Sequence, residues 1–308
     1  MVSQSPAVFG AIEAGGTKFV CAIGDAAGVL IEECRIDTRD PGTTLTQVID
    51  YLRSAQARCG TLRAIGMGAF GPIDVRAHSA QYGCVLATPK PGWSQVNLLE
   101  PVRRAFDVPF ALDTDVNAAA VGEWRWGAGR GLDTLAYVTV GTGIGAGVLH
   151  HGRAVHGLLH PEFGHVRVAR HPHDHDFAGV CRFHGDCLEG LINGPAIVAR
   201  TGGTLADASP TDPVWEFAAH YLGQLSALLV LTHSPQRIIF GGGVMKPRLL
   251  TALGERMRAH LCGYPCLPEY EEQDFIVLPQ LGHLSGVKGA LAMAIDAAGP
   301  AGAEHAAL

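Results

Sequence analysis

The chain has 308 residues, 47% hydrophobic and 17% charged, with 23 Lys/Arg against 29 Asp/Glu and a net charge of −6. This composition excludes an intrinsically disordered chain and allows one large α/β domain or two ordinary ones. No Lys/Arg-rich run is present, so a nucleic-acid partner held on a basic face is not expected.

The first residues lack a basic segment followed by an apolar run. No stretch reaches the roughly 18 apolar residues of a membrane span, and the longest, 225–231, falls far short. A soluble, cytoplasmic protein is expected. In a reducing compartment its 8 cysteines are read as metal ligands or buried thiols, with Cys262 and Cys266 assigned to the core. The 40 glycines cluster after β-like apolar runs, as in turns that a ligand approaches closely.

In chain order, Phe9–Ile12 and Phe19–Ile23 read as strands joined by a glycine turn, and Val29–Ile31 starts a third strand. Residues 43–58 have helical spacing, with Leu45, Val48, Ile49 and Leu52 on one face. Residues 64–68 are a buried strand, which makes the opening βββαβ. A strand at 110–112 and a helix at 117–126 follow, then a strand at 134–140, the turn Gly141-Thr142-Gly143-Ile144-Gly145 and a strand resuming at 147. Strand, glycine turn and strand thus occur twice, at 9–23 and 135–149, which implies two related domains. Residues 150–188 form an irregular insert. Helices follow at 214–231, 247–261 and 285–298, with a strand at 237–240 before Gly241-Gly242-Gly243. The expected domains are 1–116 with the last helix, and 117–284.

Several motifs carry chemistry. Glu13 precedes Gly15-Gly16-Thr17-Lys18, where turn amides and a lysine suit an anion and the acid suits Mg²⁺ held through water. It is no Walker loop, because a strand follows it; a plain hairpin turn is the alternative. The second turn fits a loose dinucleotide fingerprint, but it leads into extended chain, so a phosphate-wrapping hairpin fits better. Gly241–Gly243 allows close approach of a ligand, or simply a tight turn. Asp113-Thr114-Asp115-Val116-Asn117 lies where a strand meets a helix; its two carboxylates and amide suit general-base work on a hydroxyl, and Asp115 is alternatively, or at the same time, the helix N-cap.

Nine of the fifteen histidines lie between His150 and His184. Among them, His165 with Cys181-x-x-His184-x-x-Cys187 supplies four ligands for a closed, structural Zn²⁺ site. His171, His173 and His175 are a competing source. Such a staple would order an insert with too few apolar residues for a core of its own. Glu162 and Glu189 bracket the cluster and would be placed to accept hydrogen bonds from a polyol.

Together, Glu13–Lys18, Asp113–Asn117, Gly141–Gly145, Glu162-Phe163-Gly164-His165 and Cys181–Cys187 resemble the ROK family of bacterial sugar kinases, from Phe9 to about Ala297. The resemblance implies duplicated α/β domains of the actin/hexokinase type, ribonuclease H-like, with a hinged cleft. It implies Asp115 as base, and Asn117, Glu162, His165 and Glu189 as sugar contacts. The phosphates of Mg-ATP would lie on Gly15, Gly16, Thr17, Lys18, Gly141, Thr142 and Gly143, and the adenosine near Gly241, Gly242 and Gly243. A homodimer is also implied. Glu13 and Cys181-Arg-Phe-His184-Gly-Asp-Cys187 depart from the common family pattern. With His160-Pro161-Glu162 and Thr88-Pro89-Lys90-Pro91-Gly92-Trp93, they resemble the fructokinase branch.

The implied reaction is transfer from ATP to a hexose hydroxyl, with the 6-OH of D-fructose favoured over mannose, glucose or an N-acetylhexosamine. A sugar-responsive repressor on the same scaffold would need a DNA-binding module ahead of Phe9, where eight residues stand. A sugar-binding protein without catalysis would leave Asp115 and the two turns unexplained.

Overall fold

The computed structural model describes residues 7–265 and 267–299. They divide into two compact units. One takes the chain through Gly127, with His156–His160 and the described residues from His283 onward; the other takes Ala128–Val155 and Pro161–Gly282.

The first unit opens with β1 (Ala7–Ala14), β2 (Lys18–Gly24) and β3 (Leu30–Asp37), an antiparallel meander. Helix α1 (Pro41–Cys59) returns the chain to β4 (Thr61–Ala69), parallel to β1, and α2 (Leu99–Ala105) precedes β5 (Phe110–Thr114), parallel to β4. Asp40 caps α1 by accepting from the Thr43 amide, and Pro41 occupies the first turn, where no amide partner is lost. Helix α3 (Asp115–Trp126) ends the main segment.

In the second unit, β6 (Thr134–Val140), β7 (Ile144–His150) and β8 (Arg153–Ala154) form another antiparallel meander. Three helices follow: α4 (Leu188–Ile192), α5 (Gly194–Thr201) and α6 (Val214–His233). Strand β9 (Ile238–Gly241) lies parallel to β6; after α7 (Pro247–Leu261), β10 (Ile276–Val277) lies parallel to β9. Helix α8 (Ser285–Ala297) belongs to the first unit.

The sheet orders are β3-β2-β1-β4-β5 and β10-β9-β6-β7-β8. Numbered within its own unit, the second has the same order as the first, so the repeat read from two short hairpins extends to whole sheets. The sequence put the domain break after residue 116, which falls inside α3; that helix stays whole in the first unit. Helix α6 is long and apolar enough to cross a membrane by length and composition, as the core helix of a soluble protein also can be, and 61% of its apolar window is buried. Residues such as His220 and Gln224 break its apolar run in sequence, so no continuous stretch stands out there.

Alternate residues of the first sheet point to opposite layers. Ile12, Phe19, Ile65 and Met67 pack with Leu45, Val48 and Leu52 of α1. Phe9, Ala11 and Ala64 pack with Val287, Ala290 and Leu291 of α8. Helix α8 approaches its neighbours so closely that three positions admit no side chain. A Cβ at Gly66 would lie 1.9 Å from the Ala290 carbonyl oxygen, one at Gly122 would lie 2.5 Å from that of Ser285, and one at Gly289 would lie 1.6 Å from that of Ala118. The buried Glu123 accepts a hydrogen bond from Ser285 Oγ at 2.7 Å, which fixes the register of α8 against α3.

Gly289→Ala should therefore destabilise the protein by about 1–3 kcal/mol or more in denaturant unfolding, despite alanine's better helix propensity. Gly254→Ala in α7, where the new Cβ meets only the tip of the Arg258 side chain at 3.4 Å, should be neutral or stabilising.

Candidate functional site

Residues Gly15, Gly16 and Thr17 join β1 to β2. Each of their carbonyls is taken by a donor from the protein. Thr38 Oγ1 donates to Gly15 O at 2.8 Å, the Thr38 amide donates to Thr17 O at 3.0 Å, and the Lys90 ammonium donates to Gly16 O. The amides of Gly16 and Thr17 have no partner among the described residues. A peptide unit carries its N–H opposite its C=O, so tying down the carbonyls turns these amides outward.

Gly141, Thr142 and Gly143 join β6 to β7 in the same way. Gly141 O accepts from the Gly194 amide at 2.7 Å, Thr142 O from Asn193 Nδ2 at 2.8 Å and Gly143 O from the Gly141 amide at 2.9 Å. The amides of Thr142 and Gly143 are again without a partner among the described residues. Glu189, expected as a sugar contact, accepts from the Ile144 amide at 2.9 Å, beneath this turn. Gly164 passes so close to Ile144 that a Cβ there would lie 1.9 Å from its carbonyl oxygen.

The triple glycine is explained in part by packing. A Cβ at Gly241 would meet Tyr137 Oη at 2.2 Å, and Gly242, at φ 93°, would meet Val140 O at 2.3 Å; Gly243 alone has open space. The helix after it starts only at Pro247.

Asp115 is the first residue of α3. It is not the cap: Thr114 accepts from the Asn117 amide at 3.2 Å. The Asp115 carboxylate takes the Val116 amide at 2.8 Å, and burial pushes its pKa up to about 6. Glu13, at the end of β1, is pushed up to about 7, by burial first and then by the Asp115 charge. The Val287 amide in the first turn of α8 lowers it in part, while Oε2 is buried with no hydrogen-bond partner among the described residues. Gly286 makes room for this carboxyl, since a Cβ there would lie 2.4 Å from the Glu13 carboxyl carbon. A metal-bound water would satisfy the orphaned oxygen, so Glu13 fits a Mg²⁺ shell held through water.

Asp113 is engaged differently from Asp115. It is buried, and its Oδ1 accepts from the Thr114 amide at 2.7 Å and Asn117 Nδ2 at 2.7 Å and lies 3.0 Å from His156 Nε2. This hydrogen bond raises the His156 pKa above its ordinary value. Asn117, expected at the sugar, is itself buried, with its amide nitrogen on Asp113. His156 escaped the sequence reading, as one of nine histidines in a run without periodicity; so did the α8 amide behind Glu13, which lies far away in the chain.

His165, Cys181, His184 and Cys187 come together, their ligand atoms all within 4.8 Å of one another. His165 Nδ1 lies 3.7 Å from Cys181 Sγ and 3.5 Å from Cys187 Sγ, and His184 Nδ1 lies 3.7 Å from Cys181 Sγ. Zinc bonds of about 2.3 Å to sulfur and about 2.0–2.1 Å to nitrogen, set tetrahedrally, separate neighbouring donors by roughly 3.4–3.8 Å. The donor set therefore fits a structural zinc. His165 enters through Nδ1, which leaves Nε2 on the other edge of the ring. Glu162 is exposed just before the short helical turn Phe163–His165. The rival histidines lie apart: His171 packs on Phe217 and His220, and Asp174 between His173 and His175 is in a buried pair with Arg200 at 2.6 Å. Cys262 is exposed at the end of α7 rather than in the core, and Cys266 lies outside the described residues.

Residues 9–297 match the ROK family. The chain belongs to the ROK family. A fructokinase from Pediococcus pentosaceus is 41% identical over 288 residues, covering 93% of this chain and 97% of its own. A fructokinase from Zymomonas mobilis is 40% identical over 296 residues, covering 94% and 97%. The crystal structure of a ROK family glucokinase from Streptomyces griseus, in complex with glucose and AMPPNP, superposes with a TM-score of 0.71 at 25% identity, covering 94% of this chain and 99% of that one. The paired sheets are thus the ROK version of the actin/hexokinase-like fold.

Elemental analysis should find one zinc per chain. Cys181→Ser should lose that zinc and lower the melting temperature together, by roughly 10 °C for a loss of several kcal/mol. A wild-type protein without zinc would overturn the assignment.

Proposed function

We propose that the protein is an ATP-dependent ROK sugar kinase that phosphorylates the 6-OH of D-fructose. The observation that carries this reading is the shared build of the two glycine turns, with carbonyls tied inward and amides left for an anion. Identity of about 40% to two fructokinases over nearly their whole length supports fructose over mannose, glucose and N-acetylhexosamines.

In this mechanism the Gly16, Thr17, Thr142 and Gly143 amides, with Lys18, bind the nucleotide's phosphates. The Gly243 region takes the adenosine side. Asn117, Glu162, Glu189 and Nε2 of His165 belong to the sugar side, Asn117 and Glu189 through the hydrogen bonds already described. The fructose 6-oxygen attacks the γ-phosphorus, the bond to the ADP oxygen breaks, and Asp115 accepts the hydroxyl proton. Fructose 6-phosphate and ADP are the products. A carboxylate raised to about 6 is a better base than an ordinary aspartate yet stays mostly ionised at pH 7. Mg²⁺, held through water by Glu13, would offset phosphate charge. Zinc on His165, Cys181, His184 and Cys187 would hold the Glu162–His165 segment in place. All described cysteines are free, which agrees with a cytoplasmic location. The homodimer implied by the family resemblance belongs to the same proposal.

A coupled ADP-release assay over fructose, mannose, glucose and N-acetylhexosamines should give its highest kcat/KM with fructose; no ADP release with any sugar would overturn the reading. Asp115→Asn should lower kcat about 10²–10⁴-fold, with zinc content and melting temperature unchanged. Asp115 works only when deprotonated, so wild-type kcat/KM should be level above its pKa and fall about tenfold per pH unit below about 6. A profile flat down to pH 4 would show that the base does not carry a pKa raised to about 6, and the Asp115→Asn variant then decides the assignment.

A further inference from the structure

Lys90 is not accounted for by the turn's own sequence. It lies 74 residues from Gly16, yet its ammonium donates to the Gly16 carbonyl at the centre of the first turn. The segment that brings it there is firmly built. Trp93 is fully buried, with its ring against Phe19 and Phe70 at centroid distances of 5.8 and 5.5 Å. Its Nε1 donates to Arg39 O at 2.9 Å, and its amide turns back to Lys90 O at 3.3 Å. The Lys90 amide donates to Thr88 Oγ1 at 3.4 Å, and the Thr88 amide to Ser94 Oγ at 3.2 Å. The long side chain therefore leaves a fixed loop, and Lys90 itself is only partly buried.

The neighbouring carbonyls of the turn need no charge, because Thr38 holds Gly15 O and Thr17 O with a hydroxyl and an amide. At Gly16 the donor is a cation. An ammonium has three N–H bonds and one carbonyl to satisfy, so two remain. The bound carbonyl shares its peptide unit with the Thr17 amide, one of the two amides left without a partner; a cation on the oxygen polarises that N–H and makes it a stronger donor to an anion.

We propose that Lys90 is a further catalytic residue: seated on the Gly16 carbonyl, its ammonium gives its remaining N–H bonds to the phosphoryl oxygens held at the first turn and stabilises their charge during transfer. This rests on the kinase reading above. It places a second cation beside Lys18 where charge must be offset, a role for which preorganised groups are effective because they need not reorient during the reaction.

The test compares wild type, Lys90→Met, Lys90→Gln and Lys90→Arg by steady-state kinetics, melting temperature and inhibition by ADP with aluminium fluoride, a mimic of the transferring phosphoryl group. Wild-type activity comes first, since its absence would sink the kinase reading and not the Lys90 assignment alone. With activity established, Lys90→Met and Lys90→Gln should both lose about 10²-fold in kcat. KM for fructose should stay within about twofold, melting temperatures should be unchanged, and aluminium fluoride inhibition should weaken by a similar factor. Lys90→Arg should recover part of each loss. If Lys90 only pins the turn, the neutral donor of Lys90→Gln should restore kcat. That result, or wild-type kcat and fluoride inhibition in Lys90→Met, would overturn the proposal.

Discussion

A peptide group presents its donor and its acceptor on opposite sides, so fixing one determines where the other points. In both glycine turns the acceptor side is fixed completely. Thr38 and Lys90 hold the three carbonyls of residues 15–17, and Gly194, Asn193 and the turn's own Gly141 hold those of residues 141–143. Different residues thus reach one result in the two units, and two amides face outward in each. The shared sheet order explains why the turns correspond: each joins the first two strands of a β3-β2-β1-β4-β5 sheet. What repeats is a direction of peptide dipoles rather than a string of side chains.

The first unit places two carboxyl groups where burial disfavours their charge. Asp115 and Glu13 are both raised, and Glu13 has one buried oxygen with no partner among the described residues. Packing supplies the stability that such an arrangement lacks. Helix α8 is seated against β4 and α3 through Gly66, Gly122 and Gly289, and this seating brings the Val287 amide to Glu13 and the Ser285 hydroxyl to Glu123. The glycines of α8 are therefore part of the site's construction: a methyl group at Gly286 would take the space of the Glu13 carboxyl. Carboxyl groups kept in disfavoured surroundings are typical of sites that act on protons or bind cations.

The His-rich insert holds two separate polar clusters of different chemistry. One is the four-ligand cluster of His165, Cys181, His184 and Cys187. The other is Asp174, which takes both guanidinium nitrogens of Arg200 at 2.6 and 2.7 Å and the Tyr221 hydroxyl at 2.6 Å, well buried from solvent. Between these clusters the chain has little regular structure.

Features that depend on neighbours in the chain were legible from residue order alone. Apolar alternation and helical spacing gave the βββαβ opening, with the helix read at 43–58 where α1 spans Pro41–Cys59. The two strand-turn-strand units and the Cys-x2-His-x2-Cys ligands were also legible, because each is set within a few residues. Features that depend on distant partners emerged with the fold. The resemblance singled out Asp115, but residue types alone did not separate it from Asp113; in the fold His156 and Asn117 occupy Asp113, and burial raises Asp115. Cys262 looked like a core thiol until the end of α7 left it exposed. Lys90 and the α8 amide reach the first glycine turn and Glu13 from 74 and 274 positions away. Hydrogen bonds and desolvation act over a few ångströms of space, and no local pattern along the chain records which remote residues the fold will bring within that range.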